Sequence, residues 1–316
     1  MIPPFDIIVI LYEIISLIIY LSIVIFFTTQ YTKHDKDGMN AFYTTFIIGF
    51  FVDTFEIAKS KFIVSIPSFG YFIEFYQTSP IPKYGIPIFG YTVTFATALG
   101  IFCITLNRNI ATSFPMFYHL KWSKYTLLIT FIIQIFLPLL VFHYEFGAEA
   151  KLKLDSDTGK YAFGMKDAEI SKKNNTIAPI FSTIILILQV AFNALSIYKL
   201  CCVNAKTRTT LEFKILYSSI IYSSVATIGV SIICLRYWIK FAGIYNDSAA
   251  LRDSGQMLGT YSSTIATTCQ PYLMLAINAN VRKNYLMFIL RRKKVQPCKS
   301  VFGIKTTLIT TKRTNI

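Results

Sequence analysis

Apolar residues along this chain neither alternate with period two nor keep to one helical stripe. They run on for about 20 residues at a time between short polar stretches, the length a helix needs to cross a hydrocarbon core of about 30 Å. A backbone in lipid has to satisfy its own hydrogen bonds, so only helices and closed barrels cross, and the missing alternation excludes barrel strands. Seven runs are predicted as helices, at 5–27, 40–62, 85–107, 125–146, 177–199, 214–239 and 257–278. The pattern predicts an all-α membrane protein, a seven-transmembrane helix bundle within residues 1–291, followed by a basic cytoplasmic tail, 292–316, expected to be disordered. The first run reads as a retained anchor, because no basic residue precedes it and no small-x-small cleavage site follows.

Composition agrees with this pattern. Hydrophobic residues make up 54 % of the 316, charged residues only 15 %, and the mean hydropathy is +0.52. The net charge of +15 sets orientation: ten of the 31 Lys and Arg follow the last run, so that end is expected in the cytoplasm, against an anionic inner leaflet. An odd number of crossings then puts the amino terminus outside. The loop at 148–176 carries six lysines on the outer side, offset by five acids. Two N-x-[ST] triplets, at Asn174 and Asn246, fall in outer loops and are glycosylation candidates, although both sit near a run's end. Three of the six cysteines (Cys103, Cys234, Cys269) lie inside apolar runs, none falls in an outer loop, and no Cys/His spacing points to a metal. No cofactor and no nucleic-acid partner is expected.

The third run ends in GIFCITLNRN, residues 100–109. On position alone Arg108 reads first as a stop-transfer charge reaching the headgroups and only second as a functional cation facing the cytosol; the residues after it favour the second reading. Pro115 is expected to end the helix, and Trp122 and Tyr125 suit an interfacial ring. Leu106, Asn107, Arg108, Phe114, Pro115, Tyr118 and Trp122 together resemble the third-span signature of nematode serpentine chemoreceptors, class gamma (Srg-type) or the related class V. The first run's YEIISLIIYL and the seventh's Gln270-Pro271-Tyr272-Leu273 are similar to that family too. The resemblance implies a chemosensory G-protein-coupled-receptor-like protein of the plasma membrane or sensory cilium, with a small-molecule ligand and a heterotrimeric G protein as partners. It implies a switch at Asn107, Arg108, Pro115, Pro271 and Tyr272. Asn107 stands where other receptors have an acid, so a strong ionic lock is not expected. Pro271 suits either a hinge or a tolerated kink. Past the seventh run, Val281, Tyr285, Phe288 and Ile289 share one face of a predicted short amphipathic helix along the inner leaflet.

Charges inside the runs are the other candidates, because ions in hydrocarbon are costly. Asp53 and Glu56, three residues apart, face one way, as do Glu56 and Lys59. At about 1.5 Å per residue Asp53 and Glu56 lie in the outer half, and so does Glu13. These three, with His143, Tyr91 and Arg236, are expected to line a ligand cavity, while pairing or snorkelling suits Lys59, Lys61 and Lys240. A multi-span ligand-gated channel subunit or a transporter is the alternative class, although neither internal repeats nor a re-entrant pore stretch is visible. An enzyme is set aside: the three histidines sit apart and Asp53 has no partner aspartate.

Overall fold

The computed structural model describes residues 4–34, 41–154, 159–202 and 211–290. The basic tail from 291 onward and residues 203–210 lie outside the described residues.

Helix α1 is Pro4–His34. Helix α2, Ala41–Ser60, continues through a π-helical turn, Lys61–Ser65, and a last turn, Ile66–Ser68. A short α3, Ile73–Thr78, precedes α4, Pro80–Ser113. The next rod opens with a π-helical turn, Tyr118–Trp122, and joins α5, Ser123–Phe131, to α6, Leu137–Val141, by a further one, Ile132–Phe136. After strands β1, Ala150–Leu154, and β2, Tyr161–Met165, come α7, Ala168–Cys201, α8, Leu211–Tyr245, α9, Ala249–Ile277, and α10, Ala279–Ile289.

Local chemistry sets several boundaries. Helix α4 starts where Ser79 accepts from the Ile81 amide at 3.3 Å with Pro80 in the first position, and it stops before Pro115, which disfavours helical backbone in the residue ahead of it. Asp167 caps α7 by accepting from the Glu169 amide at 2.8 Å, and Asn278 caps α10 through the Val281 amide at 3.1 Å. Of the three described π turns, Lys61–Ser65 and Ile132–Phe136 each lie one turn ahead of a proline, Pro67 or Pro138, whereas Tyr118–Trp122, which leads into α5, does not. A proline lacks the N–H that would bond four residues back and its ring pushes that carbonyl away, which loosens the winding there.

Side-chain contacts fix the directions of the rods. Glu13 meets Lys61, Tyr20 meets Asp53 and Phe27 meets Tyr43, so α1 and α2 are antiparallel. Phe95 meets Phe181 and Asn109 meets Ser196, so α4 and α7 run together. Contacts of Trp122 with Asn107 and Gln134 with Gly100 set α5–α6 against α4, and Thr183–Trp238 and Asn193–Thr227 set α8 against α7. Arg236–Gly259 and Tyr222–Gln270 set α9 against α8, while Glu13–Thr264 and Ser16–Tyr272 make α9 parallel to α1. Among the described residues, α1, α4, α7 and α9 therefore point one way and α2, α5–α6 and α8 the other.

Among the described residues, four helices are long and apolar enough to cross a membrane: Asp6–Thr29, Pro80–Ser113, Ala168–Cys201 and Ile220–Tyr245. Of the remaining rods, α2 carries Asp53, Glu56 and Lys59, α9 is long but rich in Ser and Thr, and Tyr125–Val141 is shorter. Helix α1 turns inside out relative to a soluble helix: Ile8 and Ile18 are each 63 % exposed, while Glu13, Ser16 and Tyr20 are buried at helical spacing. Close packing on α9 uses Gly255 and Gly259, where an added Cβ would lie 3.1 Å from the Lys240 backbone nitrogen and 2.7 Å from Arg236 Nε.

Three expectations change. The 148–176 segment, read as a loop, folds as an antiparallel hairpin registered from Ala150↔Met165 to Leu154↔Tyr161, with Phe163 packed on Tyr76 of α3, and passes into α7 at Ala168. The fourth rod ends at Val141, not 146, because Phe142 leaves helical backbone (φ −103, ψ 23) and a tight turn, His143–Glu145, follows. The apolar face of α10 is covered by protein instead of lipid: Tyr285 and Phe288 pack on Phe26 of α1, Val281 is buried, and of the four named residues only Ile289 is exposed.

Candidate functional site

Two polar clusters occupy opposite ends of the bundle. At the end where α4 stops, Asn107 and Arg108 are 1 % and 4 % exposed. Burial of Arg108 differs from the cytosol-facing position read from the sequence, and its electrostatic neighbours Tyr118, Tyr43 and Tyr222 come from three other segments. Trp122 Nε1 donates to Asn107 Oδ1 at 2.7 Å, so the aromatic expected as an interfacial ring instead pins the end of α4. Asn109, absent from the sequence candidates, donates to Phe192 O and Ser196 Oγ, each at 3.2 Å, and ties α4 to α7. Its only signal was a third polar residue in LNRN. Pro115 lies in the short turn after α4, and Pro271 is buried within α9. Tyr272 meets Ser16 of α1 at 3.0 Å and stacks near Tyr12, so it belongs to the α1–α9 seam and not to the Arg108 cluster.

At the other end, charge is neutralised internally. Glu56 Oε2 lies 2.6 Å from Lys59 Nζ, and its Oε1 accepts from Ser263 at 2.5 Å and Thr94 at 3.1 Å. Lys59 also donates to Thr94 Oγ1 at 2.8 Å. Glu13 Oε2 lies 2.6 Å from Lys61 Nζ, and its Oε1 accepts from Thr264 at 2.8 Å. Tyr20 donates to Asp53 Oδ2 at 3.3 Å. Three neighbouring groups of contacts, those of Glu56, Glu13 and Asp53, together therefore clamp α1, α2, α4 and α9. The hydroxyls that complete it were not singled out, although their spacing in SSTIATT, residues 262–268, is visible in the chain.

The remaining outer candidates fall elsewhere. Tyr91 stacks on Phe142 and Tyr237 and accepts from Lys240 Nζ at 3.3 Å; Arg236 lies 4.8 Å from the Tyr237 ring and donates to Gly259 O at 3.2 Å. These form a separate cationic and aromatic group between α4 and α8. His143 is exposed beyond α6, with Nδ1 2.9 Å from Leu140 O, and joins neither group. Asn246 is exposed in the turn after α8. Asn174 is 1 % exposed, and its side-chain nitrogen, the atom a glycan would occupy, donates to Glu145 Oε1 at 2.6 Å.

Outside the helices two carboxylates are pushed in opposite directions. Hydrogen bonds from Lys166 and Lys83 hold Glu149 down to about 2, which fastens the hairpin to the start of α4. Burial pushes Glu145 up to about 8, against an ordinary 4.5, with the Asn174 hydrogen bond opposing the shift. Folded protein therefore keeps a proton that unfolded chain releases above about 4.5, and stability falls as pH rises from there to about 8. Glu145→Gln retains an acceptor for Asn174 and cannot ionise. Its melting temperature in detergent is expected to decline less than the wild type's between pH 5 and 8; parallel curves would refute a role for Glu145.

An apolar bundle of alternating helices that pairs its ions internally and gathers an arginine and amides at one end defines a multi-pass helical membrane protein. The model of the Srg family chemoreceptor matches residues 7–285, nearly the whole described chain, and the protein belongs to that family. It is a serpentine membrane receptor of the chemoreceptor class, a receptor family and not an enzyme family. No curated protein matches the chain.

Proposed function

We propose that this protein is a chemosensory receptor of seven crossings, with its amino terminus outside and residues 292–316 as a cytoplasmic tail, in which a small ligand acting on the outer half alters a G-protein surface around Arg108. The observation that carries this reading is the family match over residues 7–285. Alternating rod directions support seven crossings, since α1 and α9 run in parallel. The outer clamp supplies a two-state element, because a ligand that favours one arrangement of α1, α2, α4 and α9 shifts the population of both ends together. Buried Arg108 suits the resting member of such a pair, and helix movement would release it to a heterotrimeric G protein.

A screen of small organic compounds on cells expressing the receptor tests this directly, with nucleotide exchange on a co-expressed Gα and membrane current recorded side by side. The expected result is ligand-dependent exchange. A ligand-evoked current that survives complete G-protein block would instead favour a channel.

A further inference from the structure

We propose that a pocket of about 490 Å³ on the lipid-facing flank, between the π-helical end of α2 and the first turns of α4, binds an uncharged, apolar small molecule that reaches it through the bilayer. The inference names the ligand class for the receptor reading above and rests on that reading only for its signalling consequence.

The size lies within the range of about 300–1,000 Å³ usual for small-molecule sites. Its walls are almost wholly apolar, with Phe55 and Phe62 on one side and Phe89 and Ile81 on the other. Water needs two to four polar partners to be held, and these walls do not offer them. Two lysines do line the pocket, Lys59 and Lys61, but both ammonium groups turn inward onto Glu56 and Glu13, so mainly their methylene stems face the space. An anionic ligand would have to displace a carboxylate already 2.6 Å from each lysine, which disfavours a charged occupant. The rim is exposed where lipid would lie: Phe55 is 47 %, Phe89 41 % and Ile81 68 % exposed.

The space is built by the backbone. Gly85 contributes no side chain, and a Cβ there would meet nothing nearer than the Phe89 ring at 3.7 Å. Prolines at 82 and 87 hold the α4 wall, and the π turn holds the other. That wall is also mechanically connected, because Lys61 reaches across to α1 and Lys59 to α4. An occupant that moves the π turn therefore bears on the clamp between helices.

The test uses full-length receptor in lipid nanodiscs and an uncharged decyl diazirine photoprobe, with adducts mapped by peptide mass spectrometry. Saturable labelling within residues 55–66 and 81–89, competed by excess 1-decanol but at least tenfold less well by decanoate at pH 8, is expected. Gly85→Leu, which fills the space while favouring helix, should abolish the saturable component, whereas Phe89→Ala, which enlarges it, should retain it. Equal melting temperatures for the two variants separate filling from misfolding. Unsaturable label spread over all lipid-facing helices would mean acyl-chain contact only and would overturn the proposal, as would tighter competition by decanoate. Labelling is read without any G protein, so failed Gα exchange leaves this result standing, and failed labelling leaves the receptor reading standing.

Discussion

Lys61→Met is expected to destabilise the receptor by about 3–5 kcal/mol, the usual cost of removing one partner from a buried ion pair. Glu13 is 2 % exposed and sits in α1 between lipid-facing isoleucines, so among the described residues its carboxylate is left with the Thr264 hydroxyl when Lys61 is gone. The converse change, Glu13→Gln, is expected to cost less. Lys61 is 24 % exposed and has a long flexible stem, so an unpaired ammonium can swing toward the outer headgroups. Combining the two should restore much of what the first lost, since an amide opposite a thioether leaves no uncompensated ion. Denaturant titration of purified receptor in bicelles, run as a double-mutant cycle, reads the coupling. Additive effects would show that the 2.6 Å contact carries no coupling and would remove the α1–α2 clamp from the two-state argument.

Arg108→Ala is expected to reach the cell surface yet lose agonist-driven nucleotide exchange on Gα altogether. Arg108 is 4 % exposed and its electrostatic neighbours are tyrosines of three other segments, so truncation removes a buried cation and folding should tolerate it. Arg108→Lys should not restore full activity, because a point charge cannot replace a planar fork of donors. Trp122→Phe tests the other half of the cluster by removing the donor to Asn107 and keeping an aromatic ring. One hydrogen bond contributes about 1 kcal/mol, so a contact that favours the resting arrangement should give about a fivefold rise in basal exchange when lost. Signalling by Arg108→Ala at wild-type levels would eliminate the switch; unchanged basal exchange in Trp122→Phe would confine that bond to packing.

Much of the bundle was legible in the chain. Long apolar runs mark the helices because lipid demands internal backbone bonding, and the LNR with its downstream FP, Tyr and Trp carries the family resemblance that the match over 7–285 supports. Boundaries moved where tertiary or turn chemistry intervened: α4 extends from the Ser79 cap to the residue pair before Pro115, longer than the apolar stretch alone. The hairpin escaped notice because AKLKL alternates for only five residues and its partner strand YAFGM is half-buried along its length.

What the sequence by itself determined is the kind of solvent this protein lives in, the helical class and the charges that cannot face hydrocarbon, since these follow from run length and composition. The spacing of Glu56 and Lys59 already allowed their pairing, but which charge meets a partner on another helix was decided only in three dimensions. Glu13 and Lys61, or Glu56 and Ser263, are brought together by packing between helices far apart in the chain, and no local spacing encodes it. The same holds for α10, whose apolar face was correctly seen as a stripe, but whether lipid or α1 covers a stripe depends on where the neighbouring helix ends.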